Sequence, residues 1–356
     1  MSDIFNIPEI LRGYDKDNIT IATVCSHSSL QIFHGAKKEG FRTLGIALEG
    51  RTRYYDSFPL AKPDEFLVLN EYKDLYDHAD ELIAKNVVIV PHGSMVQYLG
   101  TDAFEKLPIP TFGNRKVLQW ESNRTMEREW LGSAGISTPK VFEKPEDINV
   151  PVLVKYDGAW GGRGFFIART PGEFWNGIDR DQKFTIQEYI IGTRYYLHYF
   201  YSPLSDEGYD LSKGSLQLLS IDRRDETNID EMYKLGSQEQ LKAQGINPTF
   251  VVTGNIPVVI RESLLPKVME MGEKVVERSI ELMGGMIGSF CLESVVTDQL
   301  EFKVFEISAR IVAGTNPFIS GSPYSEFVMP GLSTGQRIAM EIKEGIKQDR
   351  LDEIIT

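Results

Sequence analysis

Cysteine is almost absent from this chain: only Cys25 and Cys291 occur in 356 residues. Two thiols with no C-x-x-C spacing argue against a disulfide framework, and a reducing cytoplasm is the expected compartment. No H-E-x-x-H helix is present either. Basic charge is in deficit, 38 Lys and Arg against 51 Asp and Glu, for a net charge of −13. That sign argues against generic binding to nucleic acid or to an anionic membrane, both of which need a basic face. It leaves room for a small phosphorylated ligand held by a few local cations. No apolar run approaches the roughly 18–20 residues of a membrane span. The opening MSDIFNIPEI lacks the charged, apolar and small-residue succession of a secretory signal. Repeats, heptads and low-complexity tracts are missing as well.

What is present is an ordinary folded composition, with chain enough for two or three domains. The first third alternates. Residues 19–25 read as a buried strand, 28–40 as a helix stopping at Gly40, and 43–49 as a second strand. A helix near 71–85 leads into a strand at 87–93. This order predicts a parallel sheet with covering helices, where ligands sit at the carboxyl ends of strands. His27, Ser28 and Ser29 follow the first strand, and His92, Gly93 and Ser94 follow a later one. These positions are either turn and cap residues or ligand contacts.

A helix over 116–135 ends in GSAGISTP, and the pattern then changes to an antiparallel α+β block. It comprises β-rich segments around 155-KYDGAWGGRGFF-166, a helix near 171–179, and strands at 184–190, 194–201 and 215–222. A helix over 261–283 carries Leu264, Val268, Met271, Val275 and Leu282 on one stripe, a core face. The predicted fold class therefore joins α/β to α+β.

Gly158, Gly161, Gly162 and Gly164 fall within seven residues, just after Lys155. A P-loop needs Gly-Lys-Ser/Thr opening a helix, and a dinucleotide loop needs G-x-G-x-x-G; neither is present. A glycine loop between two antiparallel strands is a third kind, a flap whose backbone N–H groups close over a triphosphate. Lys155 then reaches a phosphate oxygen.

Residues 286–296 and 300–310 form an apparent hairpin. With a two-residue turn at Asp298–Gln299, Val295 faces Phe302, Glu293 faces Val304 and Cys291 faces Glu306. Glu293 and Glu306 become diagonal neighbours on one face, with Cα atoms roughly 7–8 Å apart. Two acids among Val, Phe and Cys repel one another and resist desolvation. Mg²⁺, or Mn²⁺ in its place, resolves both costs. The competing arrangement is an exposed face where both carboxylates meet water, and a one-residue slip separates them. Arg310 and Asn316 follow, and either orient an acyl phosphate or make loop hydrogen bonds.

The succession of a parallel domain, Lys155, a glycine flap, 187-QEYIIG-192 and two acids on late strands resembles the ATP-grasp superfamily. The resemblance implies a Rossmann-like pre-ATP-grasp domain over 1–115 and an ATP-grasp domain over 116–356. The flap-bearing part of the latter lies at about 124–200 and the metal-binding part at about 201–356. It implies ATP contacts at Lys155, Gly158, Gly161, Gly162, Gly164, Glu188, Tyr189 and Ile190. Arg128 stands where many members carry a lysine. The metal motif departs from Glu-x-Asn-x-Arg in reading 306-EISAR-310, which leaves the number of metal ions open.

The strings 25-CSHSS-29, 195-YYLHYFYSPL-204, 227-TNID-230, 253-TGNIPVVIRESLLP-266, 287-IGSFCLES-294 and 306-EISARIVAGTN-316 tighten the likeness. Nearly end to end, the chain is similar to the archaeal formate-dependent formaminoimidazole-carboxamide ribonucleotide synthetases. This implies formylation of 5-aminoimidazole-4-carboxamide ribonucleotide (AICAR) to FAICAR from ATP and formate, through formyl phosphate. It implies substrate contacts at His27, Ser94 and Asn255, an ATP contact at Glu226, and metal ligands Glu293 and Glu306. Lys155, Arg310 and His27 are the implied catalytic residues. His27 contacts the substrate's phosphate or carboxamide, takes a proton from the amine, or is structural. The resemblance also implies a homo-oligomer, a trimer or hexamer. Another acid–amine pair on the same fold is the alternative.

Overall fold

The computed structural model describes residues 6–156, 165–226, 252–312 and 322–356. The first sheet is parallel, as the alternation predicts: β1 (Thr20–Val24), β2 (Arg42–Leu48), β3 (Glu65–Leu69) and β4 (Val87–Ile89), in the order β3-β2-β1-β4. β1 and β4 are buried along their whole length, which suits strands covered on both faces. Among the described residues no helix is long and apolar enough to cross a membrane.

The chain's last helix, Thr334–Lys347, packs on the helix Ser29–Lys38 of this first region. Contact is so close that a Cβ on Gly35 would lie 2.2 Å from the backbone nitrogen of Gln336. One on Gly335 would lie 2.3 Å from the carbonyl oxygen of Gln31. Any side chain at either position would push the helices apart.

The helix expected over 116–135 is two helices, Lys116–Ser122 and Arg124–Ser133. Asn123 divides them, because its side chain accepts hydrogen bonds from the N–H groups of Thr125 and Met126 and so starts a new helix.

The second sheet is antiparallel, with β5 (Val141–Phe142), β6 (Val152–Tyr156), β7 (Phe165–Ala168) and β8 (Phe184–Glu188) in the order β5-β8-β6-β7. The third contains β9 (Thr193–Ser202), β10 (Tyr209–Asp210), β11 (Ser215–Glu226), β12 (Val252–Pro257), β13 (Gly288–Val296) and β14 (Phe302–Ser308). Its order is β10-β11-β9-β13-β14, with β12 also on β11. One face is apolar and packs on the helix Leu265–Met283, whose expected stripe is in the core, with Leu282 at its margin. Strand alternation puts Tyr196, Asp222, Arg224, Asn255, Glu293 and Glu306 on the other face.

The register of the β13–β14 hairpin differs from the expected one. Val296 pairs with Phe302, so the connection is five residues, with Thr297 N–H bonded to the Glu301 carbonyl at 3.0 Å and Leu300 at φ 59°. That slip alone would set Glu306 opposite Leu292, on the wrong face. A β-bulge corrects the phase: pairing jumps from Ser294↔Val304 to Glu293↔Glu306, leaving Phe305 as the extra residue. The two glutamates are therefore directly opposite, not diagonal.

Candidate active site

Three strand exits meet at the edge of the parallel sheet. His92, after β4, bridges to Ile311, beyond β14. Ser28, after β1, has φ 64° and donates its hydroxyl to the Val312 carbonyl at 3.1 Å. His27 lies between these segments: its Nε2 accepts the Ser94 backbone N–H at 3.0 Å, and its Nδ1 is 3.1 Å from Ser28 Oγ. With Nε2 accepting, Nδ1 carries the proton and donates to Ser28. The Ser26 hydroxyl donates to Ser94 Oγ at 3.1 Å.

The His27 and His92 rings are 4.5 Å apart. Burial, then His92, then Arg310 hold His27 down at about 3. Burial holds His92 at about 4, although a hydrogen bond to the Val24 carbonyl works the other way. Both imidazoles are neutral at physiological pH. The fold thus brings His27 and Ser94 together; Asn255 stands apart from them in the third sheet, across from Arg224.

The antiparallel face is charged. Glu293 is only 6% exposed, and Glu306 faces it from the neighbouring strand, while itself reaching solvent. Burial first, and then the charge of Glu306, push the Glu293 carboxyl up to about 7, against the pull of Arg224. Arg224 grips Glu293 with Nη2 3.0 Å from Oε1 and Nη1 3.4 Å from Oε2. Its guanidinium also lies over the Tyr196 ring, 3.7 Å from the centroid. Burial works against that cation, yet Glu293, with Tyr196, Cys291 and Asp222 adding to it, holds it above its ordinary range.

β14 is an edge strand, and two carboxylates from the helices on either side of Asn123 take its outward amides. Ile307 N–H donates to Glu127 Oε1 at 2.8 Å, and Ala309 N–H to Glu121 Oε2 at 2.8 Å. Glu121 also pairs with Arg310, Nη2 to Oε1 at 2.5 Å. Arg310 lies flat against Gly93, where a Cβ would be 3.1 Å from its Cζ. The arginine is therefore aimed at the His27–Ser94 edge. Burial, and then Glu306, raise Glu127 to about 8.

Lys155 is the penultimate residue of β6, paired with Phe165 on one side and Thr185 on the other. Burial first and Arg124 next hold its ammonium below the usual range, with Glu306 opposing them. A cleft between this sheet and β14 is lined by Arg124, Glu127, Arg128, Thr185, Gln187 and Phe305, among others. Glu188 closes β8; its Oε2 accepts the Lys140 N–H at 3.1 Å, and the Tyr189 N–H goes to the Pro151 carbonyl at 2.9 Å. Tyr189 is exposed and Ile190 half-buried. Gly158, Gly161, Gly162, Gly164, residues 227–230 and Asn316 lie outside the described residues, as does the side chain of Glu226.

Among the described residues no group of three or more His, Cys, Asp or Glu side chains has metal-binding geometry. Two opposed carboxylates, one buried against Arg224 and one reaching solvent, still fit a hard divalent cation. Such an ion takes one or two carboxylates and completes its shell with phosphate oxygens and water.

Arg224, Glu121 and Glu127 are absent from the sequence-based site. Extending the strand at 215–222 by four residues puts Arg224 on the face of Asp222, so alternation could have found it. For the two glutamates, the signal was hidden by reading one helix where there are two.

Comparison with known proteins places this architecture. Family models described as "Protein of unknown function (DUF1246)" and "Domain of unknown function (DUF1297)" match residues 21–142 and 176–356. The crystal structure of phosphoribosylglycinamide synthetase from Anaerococcus prevotii superposes with TM-score 0.62 at 14% identity, over 93% of this chain and 77% of that one. The fold is ATP-grasp. Two further matches are much nearer in sequence. The IMP biosynthesis protein PurP from Thermococcus kodakaraensis superposes with TM-score 0.72 at 31% identity, over 94% of this chain and 100% of that one. The 5-formaminoimidazole-4-carboxamide-1-(beta)-D-ribofuranosyl 5'-monophosphate synthetase 1 of Methanosarcina mazei is 62% identical over 348 residues, 98% of each chain. This chain belongs to that synthetase family, as its motifs led one to expect.

Proposed function

We propose that the protein is an ATP-dependent carbon–nitrogen ligase that joins formate to the amine of AICAR, releasing FAICAR, ADP and phosphate in purine (IMP) biosynthesis. The observation that supports it best is the junction at Arg310. There the neutral His27–Ser94 edge meets the end of β14, whose solvent-reaching Glu306 faces the buried Glu293 of β13.

Formate is a poor acylating agent because an oxide would have to leave. A formate oxygen attacks the γ-phosphorus of ATP, the bond to ADP breaks, and formyl phosphate results. The amine then attacks the formyl carbon, phosphate leaves with the bridging oxygen, and the amine gives up one proton. Phosphoryl transfer asks the protein for alignment and charge neutralisation rather than covalent help. Lys155 binds a phosphate oxygen. Glu293 and Glu306 hold Mg²⁺ or Mn²⁺, which when bound neutralises phosphate oxygens and aligns the transfer.

On this reading His27 positions the ribotide rather than taking the amine proton, because its Nε2 lone pair already accepts the Ser94 N–H and burial makes the ring a weak base. Ser94 and Asn255 complete the ribotide contacts, and Glu226 with the Glu188–Ile190 stretch those to the nucleotide. The glycine loop after Lys155 excludes water, which would hydrolyse formyl phosphate. The protein works in the cytoplasm as a homo-oligomer, a trimer or hexamer. An assay of ADP and of formylated ribotide tests this reading. ADP release should need formate and AICAR together; release with another acid–amine pair, and none with these, would overturn it.

A further inference from the structure

Arg224 has no part in the scheme above, yet among the described residues it is the cation in contact with the buried glutamate. Its two terminal nitrogens are on Glu293. Its third nitrogen, Nε, is buried and has no hydrogen-bond partner among the described residues. Across the strand, Asn255 Oδ1 is likewise buried without a partner among them. One face of adjacent strands therefore presents a donor and an acceptor, side by side and unsatisfied. An unmade hydrogen bond at a buried polar atom costs free energy, and a ligand that supplies both partners removes that cost.

The donor side suits a small carboxylate. Guanidinium N–H groups lie in one plane and match carboxylate oxygens in pairs. Charge points the same way. Glu293, Glu306 and a formate are three anionic groups beside the phosphates of ATP, and Arg224 is a cation already in contact with one of them. The other guanidinium near the pair, Arg310, is held by Glu121 and turned toward Gly93 and His27, on the ribotide side. The acceptor side, Asn255 Oδ1, suits an N–H donor such as the ribotide's amine.

We propose that Arg224 is the formate-binding residue of the site, offering Nε–H and a neighbouring terminal N–H to the carboxylate beside Glu293. This rests on the ligase reading given above. Initial rates of ADP release, with formate varied at saturating ATP and AICAR, test it in wild type, Arg224→Lys and Arg224→Met. Lysine keeps the charge but loses the planar donor pair. The formate KM should rise about tenfold or more in Arg224→Lys and further in Arg224→Met, with the KM for ATP within about twofold of wild type. A second readout needs no turnover. Formate added with Mg²⁺ and a non-hydrolysable ATP analogue should raise the wild-type melting temperature, and Arg224→Lys should lose that increment. Arg224→Lys with a wild-type formate KM and a wild-type thermal shift would overturn the assignment. Wild type with no formate-dependent ADP release would instead remove the ligase reading, so the two failures are distinct.

Discussion

The edge of the parallel sheet and the open face of the antiparallel sheet handle charge in opposite ways. At the first, the buried His92 and the half-buried His27 are neutral, and every polar contact named above is a hydrogen bond to backbone or hydroxyl. At the second, Glu293, Glu306 and Arg224 crowd together; burial raises Glu293, the surrounding anions raise Arg224, and burial lowers Lys155 on the neighbouring sheet. A neutral, hydrogen-bonding edge suits recognition of a polar ring. A charged face whose excess is negative suits a cation and the anions it draws in. On the proposed reading the molecule separates recognition from charge transfer, with Arg310 lying between the two.

Removing one member of the glutamate pair breaks the charged half most sharply. Glu306→Gln should abolish turnover, by about 10³-fold or more, while relieving repulsion on Glu293; its melting temperature should stay within a few degrees of wild type. Steady-state rates and a thermal melt check both statements.

The neutral half should fail differently. His27→Gln should raise the KM for AICAR about ten- to a hundredfold with the KM for ATP nearly unchanged. The pH profile of kcat should show no lost ionisation between about 5 and 8, since His27 is already neutral there. A lost ionisation in that window would return the histidine to the role of base.

The junction comes next in size. Glu121→Gln keeps an acceptor for the Ala309 amide but weakens the hold on Arg310. Turnover should fall by roughly tenfold, with a modest drop in melting temperature.

The smallest effect concerns pH. The Glu127 carboxyl sits at about 8 in the folded protein, above its ordinary 4.5. A raised carboxyl favours the folded state below its unfolded pKa, and that contribution is lost as pH rises through the folded value. Stability of the metal-free protein should therefore decline between about pH 4.5 and 8. In Glu127→Gln that decline should flatten by an amount worth a few degrees in melting temperature. Melting curves across that range, recorded in a chelator, provide the check.

These halves were unequally legible in the sequence. The parallel sheet was plain because buried strands such as 19–25 alternate with helices ended by a glycine, Gly40, which adopts φ 89°. Lys155 and the two acids stood out by residue type. What could not be read was phase. Nothing in 288–308 announces a five-residue connection compensated by a bulge at Phe305, because the extra residue is an apolar one among other apolar ones. Pairing between distant strands decides such registers, and it also set Arg224 against Glu293, residues 69 apart in sequence. Glu121 and Glu127 were invisible for a related reason: an N-cap at Asn123 turned one amphipathic run into two helices.

The central claim is that ATP activates formate at the charged face before the amine of the ribotide, which the neutral edge helps to hold, attacks it. Formate labelled with ¹⁸O in both oxygens tests it most directly, with ¹⁸O read in the released phosphate and in the formylated ribotide. One labelled oxygen should appear in phosphate and one in the new formamide at each turnover. Phosphate free of label, with formylated product still formed, would contradict it.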